Sequence, residues 1–352
     1  MALPSQSKSF VLKNPPTDLP VLEGSDATWS FETKPLADLK DDQVLIQTVY
    51  ISNDPAQRGW ITKGLDPERL YVPPIQVGDL MRSRNVSRVL DSRSSKYAKG
   101  DLVLVTTGWT DYIVVDASKL ERKIENLPGL KETHFLGALG MTGLTAYYGT
   151  KEVARAGPGD TVVVSGAAGA TGSMVVQIAK HLLGCKRVIG MAGEPAKCKW
   201  VESLGADICL NYKDSDFKQK LIKETEGYVE VYFDNVGGDI LDLVLTRMKR
   251  HGRVAACGAV SQYNQSEKDG LKNWFEVISN RLEIRGFIVL DFVAQGKAPA
   301  AIGELVQAFK DGKIKLGDEN ETVVDTKFED TPKTWMRLFE GKNTGKLVTH
   351  LV

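Results

Sequence analysis

The sequence predicts an α/β fold, a doubly wound parallel sheet joined to a β-rich segment. Three observations carry this reading. From Gly157 onward strand-like runs begin about every 20 to 30 residues with helical stretches between them, the spacing of strand–helix–strand units. A glycine-rich turn, Ser165-Gly166-Ala167-Ala168-Gly169-Ala170-Thr171-Gly172, separates the first of these strands from an amphipathic helix. Residues 1–125 have little helical periodicity and several β-branched apolar runs bounded by Gly, Asp and Pro, which fits a compact, partly open barrel.

In chain order, 44–51, 100–108 and 111–116 are the strand-like runs of the β-rich part. TVVVSG (161–166) is a short buried strand, and in MVVQIAKHLL (174–183) Val175, Ile178 and Leu182 share one helical face. Strands at 186–193, 207–212, 229–238, 252–258 and 282–289 alternate with helices at 195–205 and 217–227, the first of which ends at a glycine. Roughly six parallel strands wrapped by helices form the doubly wound dinucleotide architecture. After residue 310 the chain turns polar and closes on a last strand, KLVTHLV, expected to return to the first domain.

Composition narrows the partners. Lys plus Arg and Asp plus Glu are both 45, so long-range charge gives no reason to expect nucleic acid or an anionic membrane. No apolar run reaches the roughly 18 residues of a membrane span, and the N-terminus lacks a signal-peptide core, which points to a cytoplasmic protein. Cys185, Cys198, Cys209 and Cys257 form no CxxC and read as reduced, mostly buried thiols. The sequons at Asn85, Asn264 and Asn320 are then chance matches.

The turn reads as AxGxxG, with Ala167 in place of the first glycine. Gly169 lets the backbone approach a pyrophosphate, Gly172 lets the helix pack on the strand, and the amides of Ala168, Ala170 and Thr171 face the phosphates at the helix start. A tight structural turn of another α/β protein is the alternative. The second strand ends at Gly193, where an NAD enzyme usually places an acid for the ribose hydroxyls. Glu194 is adjacent and suits that role, whereas Lys197, Tyr212 and Lys213 suit the extra phosphate of NADP. Lys197 also reads as one solvated helix lysine among several.

VVVSGAAGATGSMVVQIAK, AGEPAKCKWVESLGAD, LNYK, YFDNVGG, GRVAACGAVSQYN and RGFIV occur in this order, with YISNDPAQRGW and LGALGMTGLTAYYG upstream and GKNTGKLV near the end. This string resembles the zinc-independent medium-chain dehydrogenase/reductases, in the branch of the prostaglandin/leukotriene reductases and plant alkenal double-bond reductases. The resemblance implies a Rossmann domain, residues 128–314, inserted in a GroES-like β-barrel catalytic domain made of residues 1–127 and 315–352. It also implies a homodimer and NADPH-dependent reduction of a carbon–carbon double bond conjugated to a carbonyl.

By the same resemblance, Lys197 and Tyr212 match the positions at the adenosine phosphate, Asn235 one at the ribose and pyrophosphate, and Asn343 one near the cofactor. Met141 and Thr142 lie beside the nicotinamide, and Phe287 and Val289 belong to the strand that contacts its carboxamide. Asn53 and Cys257 are placed with the cofactor-binding positions. Tyr263 matches the tyrosine that points at the substrate carbonyl and is the candidate catalytic residue; it also reads as a structural loop aromatic.

No metal is expected. Catalytic zinc needs three protein ligands, typically Cys and His, yet the early strand ends in Ile51-Ser52-Asn53-Asp54 and no histidine precedes His134. His134, His181, His251 and His350 read as surface or packing residues. Tyr147 and Lys151 imitate the acid–base pair of short-chain dehydrogenases but precede the glycine turn, so Tyr147 and Tyr148 read as helix packing. The expected chemistry passes hydride from NADPH to the β-carbon of an enal or enone while Tyr263 steadies the enolate. A quinone reductase of the same superfamily and a non-catalytic NADPH-binding protein are the alternatives.

Overall fold

The computed structural model describes residues 3–268 and 270–352. They fall into two units. The first holds the chain up to Leu136 together with Thr322–Lys342 and Leu347–Val352, and the second holds Gly137–Glu321 together with Asn343–Lys346. The boundaries expected after residues 127 and 314 thus fall at Leu136 and Glu321, and the short segment Asn343–Lys346 groups with the second unit.

The first unit begins with β1 (Gln6–Leu12) and β2 (Trp29–Pro35), an antiparallel pair. β3 (Gln43–Ser52), the helical turn α1 (Gln57–Trp60), β4 (Arg84–Ser92), β5 (Leu102–Thr106), β6 (Tyr112–Asp116) and β7 (Leu120–Lys123) follow. β3 is the organising strand. It pairs antiparallel with both β4 and β6, and its register against β4 shifts at Leu45/Ile46 and Thr48/Tyr50. Such irregularities bend a strand and let a sheet curl, as a partly open barrel requires. Val44 and Ile46 point into a core with Val89, Val103, Val105 and Leu120, and Leu45 between them is buried as well.

The second unit opens with α2 (Met141–Tyr148). Then come β8 (Thr161–Val164), α3 (Ala170–Gln177), β9 (Arg187–Ala192), α4 (Pro195–Ser203), β10 (Ile208–Asn211) and α5 (Phe217–Glu224). The second half adds β11 (Val229–Asp234), α6 (Gly238–Leu245), β12 (Met248–Ala256), α7 (Phe275–Ser279), β13 (Glu283–Gly286), α8 (Val289–Ala294) and α9 (Ala298–Lys310). The six strands form one parallel sheet in the order β10-β9-β8-β11-β12-β13. Strand order reverses between β8 and β11, the crevice where doubly wound sheets bind ligands. The strands are near-continuous apolar runs because both faces are covered; Val163, Ile189, Tyr232 and Val254 are among the buried residues of one face.

The chain then forms β14 (Glu321–Thr326), α10 (Thr331–Met336) and β15 (Lys346–Leu351). β14 and β15 extend the first unit's sheet, with Val348 opposite Ser52 on β3.

Two elements differ from the sequence reading. The helix placed at 174–183 starts four residues earlier and widens into a π turn over Ile178–Leu182. The strand placed at 282–289 stops at Gly286, and Val289 opens α8 instead. Phe287 leaves the sheet because its ring packs edge-on against Phe233, with centroids 6.1 Å apart. Gly149 leaves room for both rings, since a Cβ there would lie 2.5 Å from each.

Candidate active site

The turn after β8 is built by backbone geometry. Gly166 has φ +59°, a conformation glycine adopts without cost. A Cβ on Gly172 would stand 2.3 Å from the Gly166 carbonyl and 2.8 Å from the Ala167 Cα, so the absent side chain is what lets α3 close onto the turn. Gly169 caps α3 in an extended conformation without any side-chain cap. The amides of Ala170, Thr171 and Gly172 therefore have no intrahelical carbonyl, and the helix N-terminus offers them to an anion.

A buried network behind the turn joins three strand ends. Asp234, at the end of β11 and 2% exposed, accepts through Oδ1 from Ser165 Oγ (3.1 Å), the Tyr232 hydroxyl (2.7 Å) and the amides of Val236 and Gly237 (both 3.0 Å). Burial, and then Asp234, push the Tyr232 hydroxyl well above its usual pKa, so it stays protonated and donates. Asn235 donates its amide to Ser165 Oγ (3.0 Å) and its side-chain nitrogen to the Ser165 carbonyl (2.7 Å). The Asp234 carbonyl in turn takes the amides of Cys257 (2.9 Å) and Gly258 (3.1 Å). Ser165 and Asp234 escaped the sequence reading. The one available signal was an acid closing an apolar strand just before Asn235-Val236-Gly237-Gly238.

Asn343 is close to the same turn. Its side-chain nitrogen donates to the Gly345 carbonyl (3.1 Å), and the Gly345 amide donates to the Ala168 carbonyl (2.8 Å).

At the far end of β9, a Cβ on Gly193 would lie 2.6 Å from the Tyr212 hydroxyl. An acid there would have to move the tyrosine ring. Tyr212 remains 43% exposed, and its amide donates to the Ala192 carbonyl (3.0 Å). Lys197 is half-buried on the first turns of α4. Burial lowers its pKa, Glu194 opposes that and Lys213 adds to it. Lys197 and Lys213 thus lie close enough for their charges to act on one another.

The loop after β12 carries Cys257 and Tyr263. Burial first, and Asp234 second, push the Cys257 thiol up to about 12, so it is a neutral wall group and no nucleophile. The Tyr263 hydroxyl accepts from the Ala259 amide (3.4 Å), and a Cβ on Gly258 would lie 3.2 Å from it. On α2, Thr142 Oγ1 donates to the Gly137 carbonyl (2.8 Å), and the Met141 carbonyl accepts from Thr145 Oγ1 (2.8 Å). The second unit therefore assembles three groups: Ala168–Gly172 with Asn235 and Asn343, then Gly193 with Lys197 and Tyr212, then Cys257 with Tyr263.

Four residues make contacts or take places that the sequence reading did not anticipate. Asn53 belongs to the first unit and is 1% exposed; its side-chain nitrogen donates to Thr349 Oγ1 (2.9 Å) and its amide to the Leu347 carbonyl (3.2 Å), which anchors β15 to β3. Phe287 and Val289 lie beyond the end of their strand, and the Phe287 ring is consumed by packing. Tyr147 does more than pack: its hydroxyl bonds Glu304 and Lys151, tying α2 to α9. The four cysteines are free thiols, three of them buried. Among the described residues no group of three or more His, Cys, Asp or Glu side chains could hold a metal ion, and no helix is long and apolar enough to cross a membrane.

A doubly wound sheet with a glycine-rich turn at its switch point, together with an antiparallel unit made from both parts of the chain, is an architecture used by nucleotide-dependent dehydrogenases and reductases. Residues 8–123 match the family model described as the N-terminal domain of oxidoreductase, and residues 170–307 match that described as zinc-binding dehydrogenase. The chain is 35% identical to prostaglandin reductase 1 of Bos taurus, with 97% of this chain and 98% of the relative covered. It is also 35% identical to the NADP(+)-dependent 2-alkenal reductase of Nicotiana tabacum, over 99% and 98%. The crystal structure of CurA from Vibrio vulnificus in complex with NADPH superposes with a TM-score of 0.85 at 31% identity, covering 98% of this chain and 99% of that one. The chain belongs to the medium-chain dehydrogenase/reductase family, in its zinc-independent branch of prostaglandin, alkenal and curcumin reductases, and is an oxidoreductase.

Proposed function

We propose that this chain is an NADPH-dependent reductase of the carbon–carbon double bond in α,β-unsaturated aldehydes and ketones, zinc-independent, cytoplasmic and homodimeric. The observation that carries the cofactor choice is Tyr212 lying over Gly193 with Lys197 and Lys213 beside it. No acid can occupy position 193 without displacing the tyrosine, and the lysines complement a dianionic ribose phosphate. The amides at the start of α3 hold the pyrophosphate, Asn235 and Asn343 border that turn, and Met141, Thr142 and Cys257 wall the nicotinamide end.

When bound, NADPH supplies the hydride that reduces the β-carbon. The chain's task is to position the substrate and steady charge on its carbonyl oxygen. Tyr263 serves that purpose: a hydroxyl that accepts from an amide, here that of Ala259, is polarised into a better donor. Its phenol donates to the enolate oxygen as charge develops there, and water supplies the α-proton. The reading of position 53 as Asn supports a reaction without zinc, because its side chain is committed to Thr349.

The dimer reading rests on the edge of β13, which among the described residues pairs only with β12, and on neighbouring Trp274, Phe275 and Ile278, which are 52%, 72% and 61% exposed. An apolar cluster beside an unpaired edge strand suits a second copy. The deciding assay incubates the purified protein with NADPH deuterated at the transferring position and a panel of 2-alkenals, enones and quinones. Deuterium on the β-carbon of a saturated aldehyde or ketone supports the reading. An allylic alcohol, quinone turnover alone, or binding without turnover overturns it.

A further inference from the structure

The loop that carries Tyr263 is tied to the chain leaving β11. The Asn235 carbonyl accepts from the Val260 amide (3.3 Å). The Val236 carbonyl accepts twice from Ser261, from its amide (3.2 Å) and from its hydroxyl (2.7 Å). Together with the Cys257 and Gly258 amides on the Asp234 carbonyl, these bonds continue the pairing of β11 with β12 beyond Asp234 and Ala256, where the ladder ends. The acceptor is itself fixed, because the Val236 and Gly237 amides are held by the buried Asp234 carboxylate.

The two segments fit closely. Gly237 (φ +69°, ψ −157°) and Gly238 (φ +56°) have backbone conformations that a side chain makes costly. A Cβ on Gly237 would lie 3.1 Å from the Ala259 Cβ, and one on Gly238 would lie 3.0 Å from Ser261 Oγ. The glycine pair thus leaves the space that Ala259 and Ser261 occupy. Val260–Gln262 form a single 3₁₀ turn, with the Gln262 amide on the Ala259 carbonyl (2.8 Å), and Tyr263 follows it in helical conformation. The Tyr263 hydroxyl folds back over this turn to the Ala259 amide. One 3₁₀ turn is too short to hold its own shape, so its bonds to Asn235 and Val236 decide where it sits. Ser261 supplies the side-chain part of that hold, two residues before the tyrosine.

We propose that Ser261 is a positioning residue for Tyr263: its hydroxyl latches the turn to Val236 and so fixes where the phenol stands during reduction. This rests on the reductase reading above and adds a residue that acts through Tyr263. One such hydrogen bond predicts that Ser261→Ala lowers kcat on a medium-chain trans-2-alkenal about 3–10-fold and leaves KM for NADPH within about twofold. Ser261→Thr, which keeps the hydroxyl, should restore most of the loss. On a Tyr263→Phe background, Ser261→Ala should cost nothing further, because a residue that acts through another is not additive with it. A wild-type kcat in Ser261→Ala, an equal loss in Ser261→Thr, or the same fold loss on both backgrounds overturns the latch. If the wild type reduces no alkenal, or Tyr263→Phe leaves kcat unchanged, the catalytic reading of Tyr263 fails by itself. Nitration by tetranitromethane, located by peptide mass spectrometry, then decides the latch. Faster nitration of Tyr263 in Ser261→Ala, with the exposed Tyr212 unchanged, supports it. Equal rates at Tyr263, or a rise shared by Tyr212, overturn it.

Discussion

The amide of Gly345 donates to the carbonyl of Ala168 at 2.8 Å, and Gly345 and Gly169 form a parallel bridge. A residue from the C-terminal segment thus completes the turn built by residues 165–172. Gly345 reaches that position at φ +63°, and a Cβ there would stand 1.9 Å from the Asn320 carbonyl oxygen.

Gly345→Ala should therefore be among the most damaging single-methyl changes in the chain. Left-handed strain alone costs about 1–3 kcal/mol, and the backbone clash adds to it. Thermal unfolding should show a clear fall in Tm, and NADPH affinity should fall further than stability alone explains. Wild-type values for both would show that the contact is dispensable.

Lys197→Ala should weaken NADPH binding about 10–100-fold and leave NADH nearly unchanged, since the lost contact is to the phosphate that NADH lacks. Apparent constants for the two cofactors, measured on the same substrate, check this. Equal effects would return Lys197 to the class of solvated helix lysines.

Tyr263→Phe should preserve NADPH affinity and lower kcat by roughly 10–100-fold, less than the 10²–10³ of a strong oxyanion donor. A fall in cofactor affinity at constant kcat would mark Tyr263 as a loop aromatic.

Stability should decline in alkali. Burial pushes the Cys185 thiol up to about 11, and burial likewise pushes Cys209 upward. Both folded and unfolded chains hold these protons below about pH 8.5, where the thiols add no pH dependence. Above that the unfolded chain releases them first, so each thiol removes up to about 1.4 kcal/mol per pH unit until the folded pKa is reached. Urea unfolding at pH 8 and pH 10 should show the drop, and Cys185→Ala should shrink it. The same thiols should resist iodoacetamide in the folded protein.

The sheet could be read from the sequence because each parallel strand is a short apolar run closed by Gly, Asp or Asn, and such runs declare themselves locally. Gly172 and Gly193 stand out in the sequence, but what each glycine makes room for lies in neighbours within about 3 Å: the Gly166 carbonyl and the Tyr212 ring. Local pattern gave no access to the Ser165–Asp234 hydrogen bond, whose partners are 69 positions apart and which no spacing rule anticipates. Nor did it reveal that Asn53 would bond Thr349, 296 positions away. The strand read through Val289 failed at Phe287 because tertiary packing against Phe233 outweighed a β-branched run.

The clasp between Ala168 and Gly345 also has a consequence in time. A ribosome makes Ala168 about 180 residues before Gly345, which at 5–20 residues per second is a delay of roughly 10 to 35 s. During that interval the six-stranded sheet can be complete while its turn still lacks the last hydrogen bond. A nascent or prematurely terminated chain would then carry a folded but unlatched cofactor pocket, and only finished molecules would compete for NADPH at full affinity.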